Sequence, residues 1–165
     1  MSLFATEFVM QRCIADQLHR MVMHLEPLAI ASNITQAENT RLDHVLLTLG
    51  NLFHIYNNMD DADHDVKDGI KASLEKRWAK ADQDAFILAV FFNPYIRADL
   101  FSRKIIQLTP AGMYGIVKCM YKRVFREEPE FGLHAACMDY YKCHSEFSDD
   151  AMHLNDLEEA VKGKV

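Results

Sequence analysis

Only six glycines are scattered through the 165 residues, and neither Gly-x-Ser-x-Gly nor Gly-x-x-x-x-Gly-Lys occurs among them. The first absence removes the nucleophile elbow of serine hydrolases. The second removes the phosphate-cradling loop of nucleoside triphosphatases. Four cysteines, Cys13, Cys119, Cys137 and Cys143, fall at irregular spacings with no Cys-x-x-Cys pair. They offer no disulfide framework and suit free thiols in a reducing compartment. No stretch approaches the roughly 20 consecutive apolar residues of a membrane span. The first seven residues carry neither the basic nor the apolar region of a signal peptide. The expected address is nuclear or cytoplasmic, with no membrane partner.

What is present is a chain that is 50% hydrophobic with a net charge of −6. That length and composition suit one domain burying about 70% of its unfolded surface. The charge is segregated. Residues 1–84 hold 13 acids and 8 bases, residues 85–126 one acid and 7 bases, and residues 127–165 10 acids and 3 bases. An acidic protein is a poor general binder of nucleic acid. Its basic middle either packs against the acidic flanks or forms one face aimed at phosphate.

The apolar pattern is helical nearly throughout. Met10, Ile14, Leu18, Met21 and Leu25 recur at spacings of three and four, which predicts the core stripe of an amphipathic helix. Pro27 is expected to punctuate it, with Leu28 to Ala31 adding a turn. Leu42, Val45, Leu46, Leu49, Leu52, Phe53 and Tyr56 form a second stripe ending near Asn57–Asn58. Gly50 inside it costs about 1 kcal/mol against alanine, which close packing would explain. An acidic connector, 59–65, leads into a helix through Val66, Ile70 and Leu74 to Trp78. Asp82 is placed as the N-cap of the next element, the apolar run Ala85 to Phe92. Periodicity alone does not separate a buried strand from a buried helix there, but no other run offers a strand partner. Asn93-Pro94 ends the run.

Thr109-Pro110 marks a helix start, with Thr as N-cap and Pro at the first helical position. Met113, Ile116, Val117, Met120 and Val124 form its buried stripe before Glu127-Glu128-Pro129. Leu133, Cys137, Tyr140, His144 and Phe147 give another. Leu154, Leu157 and Val161 suggest a last helix that frays. The expected fold is all-α: a single irregular bundle of about six to eight helices over residues 1–147, with 148–165 an acidic tail or frayed helix.

Metal chemistry finds little support. Three Asp-x-x-His pairs (Asp16/His19, Asp61/His64, Asp150/His153) share the spacing of di-iron bundles, but about one such pair arises by chance and two of them fall in a connector and a tail. A calcium loop starting at Asp61 fails at Val66, where glycine is needed, and at Ala72, where Glu is needed. Cys137 and His144 lie about 10 Å apart along a helix, too far for one zinc ion. No catalytic residue, metal or cofactor is expected.

The basic residues are the candidate site. Lys118, Lys122 and Arg126 fall at i, i+4 and i+8, with Arg123 beside them and Arg97, Arg103 and Lys104 preceding. Such side chains neutralise backbone phosphates of DNA without reading sequence. Otherwise the same cations complement the helix dipole and pair with Glu127, Glu128 or the tail. Tyr114 and Tyr121 add stacking or, more simply, packing.

The segment from Ser73-Leu-Glu-Lys-Arg-Trp78 through Asp82-Gln83 and the apolar run to Asn93-Pro-Tyr-Ile-Arg97 and Phe101 resembles the hAT superfamily of DNA transposases in its fungal form. Gln36 to Tyr56 and Met120-Tyr-Lys-Arg-Val-Phe125 extend the likeness to roughly 28–147. In that family the segment lies in the helical insertion of a ribonuclease-H-like catalytic domain. The metal-binding acids, the zinc finger and the Cys-x-x-His motif lie outside the matched stretch, and His134-Ala-Ala-Cys137 is that last pattern reversed. The resemblance therefore implies a non-enzymatic, truncated transposase-derived protein, with Trp78 as packing. Its expected partners are the DNA backbone, a full-length transposase or itself. The alternative is a helical protein-interaction module with no nucleic-acid role.

Overall fold

A computed structural model describes residues 3–59, 64–156 and 159, with residues 3–9 described by their backbone. It is all-α, with no strand among the described residues. The chain divides into two compact units, Met1–Ala81 and Asp82–Val165. Where composition suggests one domain, two cores form, because each helix packs on its neighbours in sequence. The division falls inside the Ser73–Phe101 segment.

The first unit holds α1 (Leu3–Thr35), α2 (Leu42–Asn57) and α3 (His64–Trp78). Its core is small: Ala31, Leu52 and Tyr56, backed by Leu28, Met59, Ile70 and Leu74. The second stripe ends where expected, with Asn58 as the C-cap of α2. Arg41 neutralises the buried Asp43 in a two-pronged ion pair, its Nε donating to Oδ1 at 3.0 Å. Lys67 is buried as well, its ammonium donating to the Met59 carbonyl at 3.2 Å.

Two expectations for α1 are overturned. Pro27 does not end the helix but lies within it. An interior proline costs about 3 kcal/mol, so the turns beyond it need tertiary support, and Leu28 and Ala31 find it in the core. More consequentially, the stripe before Pro27 is no core: Met10, Ile14, Leu18, Met21 and Leu25 are 52–59% exposed. Gly50 is not closely packed either, since a Cβ there would meet open space.

The second unit holds α4 (Gln83–Phe91), α5 (Pro110–Phe125) and α6 (Gly132–Tyr141), with single 3-10 turns at Ile106–Leu108 and Ser145–Phe147. The apolar run is helical, carrying Leu88, Val90 and Phe91 inward, but its last residue, Phe92, is the C-cap and is 52% exposed. Leu88 and Phe91 share a core with Met113 and Val117 of α5 and Cys137 and Tyr140 of α6. Phe91 and Phe147 both set ring edges against Tyr140, with centroids 5.2 and 5.4 Å apart. Thr109 caps α5, its hydroxyl accepting from the Gly112 N–H, and Pro110 follows as expected. Gly112 is required there, since a Cβ would come within 2.4 Å of the Ile106 and Gln107 carbonyl oxygens.

Other members of predicted stripes face solvent instead: Leu42, Phe53 and Val66 in the first unit, and Val124 and His144 in the second. Ser148 to Leu154 does not behave as a detached tail, because Leu154 is buried and Asp149 pairs with Arg97. Leu157 and Val161 of the expected last helix lie outside the described residues.

Candidate functional site

The seven basic candidates do not share one environment. Arg97 follows the Asn93-Pro94 stop, where the Asn93 carbonyl accepts its N–H at 2.8 Å. Its φ of 50° is left-handed, uncommon for a residue with a Cβ. That twist sends the side chain inward, where only 4% of the residue is exposed. The guanidinium lies 5.4 Å from the Tyr140 ring centroid, and Nη2 donates to Asp149 Oδ1 at 3.1 Å and meets Met152 Sδ at 3.3 Å. Nε and Nη1 are buried without a hydrogen-bond partner among the described residues. Arg97 is thus an internal clasp for the 149–152 segment and offers no surface to phosphate. A cavity of about 160 Å³ lies beside it, lined by Tyr95, Arg97, Asp99, Cys143 and Asp149.

Lys118, Lys122 and Arg123 stand on α5, exposed or partly exposed, each held by a carboxylate. Arg126 makes this possible by ending the helix in a left-handed turn, φ 60°. The chain then doubles back and sets the Glu128 carboxylate 2.5 Å from Lys122 Nζ and 3.8 Å from Lys118 Nζ. The Lys122 hydrogen bond holds the Glu128 carboxyl below its ordinary range. Arg123 pairs with Asp82, whose carboxyl is likewise lowered, first by that hydrogen bond. Asp82 occupies the N-cap position of α4 as expected, but its side chain makes no cap hydrogen bond.

Arg103 and Lys104 lie in the irregular segment before α5, exposed and without an ion pair among the described residues. Arg126 is exposed and unpaired in the same sense. These three are the cations left for an external anion. The tyrosines are engaged as well. Tyr114 sets its ring against His134 at 4.5 Å between centroids. The Tyr121 hydroxyl donates to Glu127 at 3.1 Å, which raises its pKa, and its ring packs on Phe125.

Among the described residues no group of three or more His, Cys, Asp or Glu is placed to hold a metal ion. Asp16 and His19 are exposed on α1, and Asp61 lies outside the described residues. His153 faces Asp156 at 3.3 Å. All four cysteines are free, and burial pushes the Cys137 thiol up. Among the described residues no helix is long and apolar enough to cross a membrane.

The features that sequence reasoning missed are apolar. A groove of about 230 Å³ between α2 and α3 is lined by Leu46, Leu49, Gly50, Phe53, Leu74 and Trp78. Gly50 was its signal in the sequence, since a glycine inside an apolar stripe leaves a gap when nothing packs on it. The larger feature is the open stripe of α1. Comparison with family models, with curated proteins and with solved structures finds no match for this chain.

Proposed function

We propose that this chain is a non-catalytic helical protein-interaction module, derived from the insertion region of an hAT-type transposase. The observation that carries the interaction reading is the stripe of α1, where five large apolar side chains are more than half exposed on consecutive turns. Scattered apolar residues on a surface are ordinary, but a contiguous strip of them marks a surface that another polypeptide covers. The isolated part of a helix gains little from propensity alone, so a helix this long draws its stability from packing an apolar face. The transposase origin rests on the Ser73–Phe101 residues.

DNA contact is the lesser reading. Four of the seven candidate cations are matched to carboxylates within the chain. Releasing them to phosphate would require breaking those pairs, and three unpaired cations neutralise few phosphates.

The test pairs two measurements. Fluorescence anisotropy with short duplex DNA at two salt concentrations reads nucleic-acid contact, and a photo-crosslinking amino acid in place of Leu18 reads protein contact. Crosslinks from position 18 to a polypeptide, with no salt-sensitive DNA binding, are expected. Salt-steep binding that disappears on reversing Arg103, Lys104 and Arg126, without crosslinks, would replace this reading with a DNA-backbone role.

A further inference from the structure

The stripe has a finer pattern than a generic amphipathic face. Ile14, Leu18, Met21, Leu25 and Leu28 follow one another at spacings of four, three, four and three. That is a repeat of 3.5 residues, the period at which two helices wind left-handed around a shared seam. Only the last of the five, Leu28, packs against the first unit's own core; the other four are 52–57% exposed. The seam therefore starts inside the fold and runs out along the open part of α1.

The residues flanking the seam decide what can cover it. In a paired helix those flanks face the partner and set its identity through charge. Here they are Ala15, Gln17 and Val22, all exposed, and His24, which is buried in the first unit; none of them is an acid, lysine or arginine. The charged residues Arg12, Asp16, Arg20 and Glu26 all occupy positions away from the seam. A second identical helix would thus meet no like charge across the interface, and its apolar residues would match in kind and number. Met10 and Val22 widen the strip on either side and are themselves more than half exposed. Allowing roughly 100 Å² of open surface for each of these six side chains gives on the order of 600 Å² per copy, against the ~800 Å² per partner of a standard interface. The neighbouring alanine and glutamine supply much of the remainder.

We infer that two copies of this chain pair through α1, with Ile14, Leu18, Met21 and Leu25 forming the seam of a two-helix interface. The inference rests on the interaction reading above and names the partner. Because both copies present the same patch, the interface is isologous and closes as a dimer, with no open surface left to propagate.

Sedimentation equilibrium on the full chain tests this. The chain's mass is 19.0 kDa, and a species of twice that mass is expected at concentrations of about 10 to 100 μM. Leu18→Glu and Met21→Glu should each raise the dissociation constant tenfold or more, while Met23→Glu, away from the seam, should leave it nearly unchanged. All three positions are exposed, so the monomer tolerates the charge, and far-ultraviolet circular dichroism checks that helix content persists. A monomer throughout the range overturns the pairing, as does a dimer indifferent to Leu18→Glu or equally sensitive to Met23→Glu. A monomer whose position 18 still crosslinks to a different polypeptide sinks self-pairing and leaves the interaction module standing.

Discussion

The Tyr56 hydroxyl donates to the His24 carbonyl oxygen at 2.5 Å, joining α2 to α1 across 32 residues of sequence in the centre of the first unit. The acceptor lies three residues before Pro27, in the turn the proline ring crowds. Tyr56 is fully buried, and that burial raises its pKa. One side chain thus fills the small core and ties the helix where it is weakest. Tyr56→Phe keeps the volume and removes the bond, with an expected loss of about 1–2 kcal/mol in urea unfolding. Tyr56→Ala opens a cavity as well and should cost about 3–5 kcal/mol.

Two glycines should respond in opposite directions. Gly50→Ala places a methyl in open space on a helix, so a gain of up to about 1 kcal/mol is expected. Gly112→Ala drives a Cβ into two carbonyl oxygens of the preceding turn. It should lower stability by more than about 2 kcal/mol, with a fall in thermal midpoint to match. A stabilised Gly112→Ala protein would show that the turn before α5 has room for a methyl group.

Arg97 and Asp149 make an unequal pair, one partner buried and the other 65% exposed. Asp149→Asn leaves a buried guanidinium without its counter-charge. A loss of about 1–3 kcal/mol is expected, smaller than for a fully buried pair because water reaches the carboxylate side. Arg97→Met keeps the stem over Tyr140 and removes the charge, and should be tolerated better. Amide exchange in 149–154 should rise in both variants, because the clasp on that segment is gone.

The carboxylates around α5 set a pH response. Both Asp82 and Glu128 are held below their ordinary range by hydrogen bonds from Arg123 and Lys122. A lowered folded-state pKa means stability that is present above the unfolded carboxylate range and lost as pH falls through it, below about pH 4. These pairs are exposed, so the effect is small and screened by salt. Asp82→Asn with Glu128→Gln should flatten that acid limb. The same double variant frees Lys118, Lys122 and Arg123, so its low-salt DNA affinity should exceed that of the parent chain, measured by anisotropy. Equal affinity would mean that α5 does not face phosphate even when its cations are released.

Helix identity, most boundaries and the helix starts and stops were legible in the residues. Thr109-Pro110 opens α5 and Asn93-Pro94 closes α4, because caps and stops are decided by local backbone chemistry. That the apolar run would send Leu88, Val90 and Phe91 into the core follows from its having no polar face to show water. Pro27 shows the limit: its local preference for ending a helix was outweighed by packing that involves Tyr56, 29 residues further on.

Which apolar stripe becomes core was decided by tertiary structure alone. The α1 stripe and the α2 stripe look alike in sequence, yet Leu52 and Tyr56 are buried while Leu18 and Met21 are open. Periodicity states that a face wants cover; only the arrangement of other helices states whether cover exists. The candidate cations divide the same way. Their sequence spacing put them on one helix face, but a left-handed turn at Arg126 brought Glu128 back onto Lys118 and Lys122, and one at Arg97 turned that side chain into the interior. A charge is written in the sequence, whereas its counter-charge is chosen by the path of the chain.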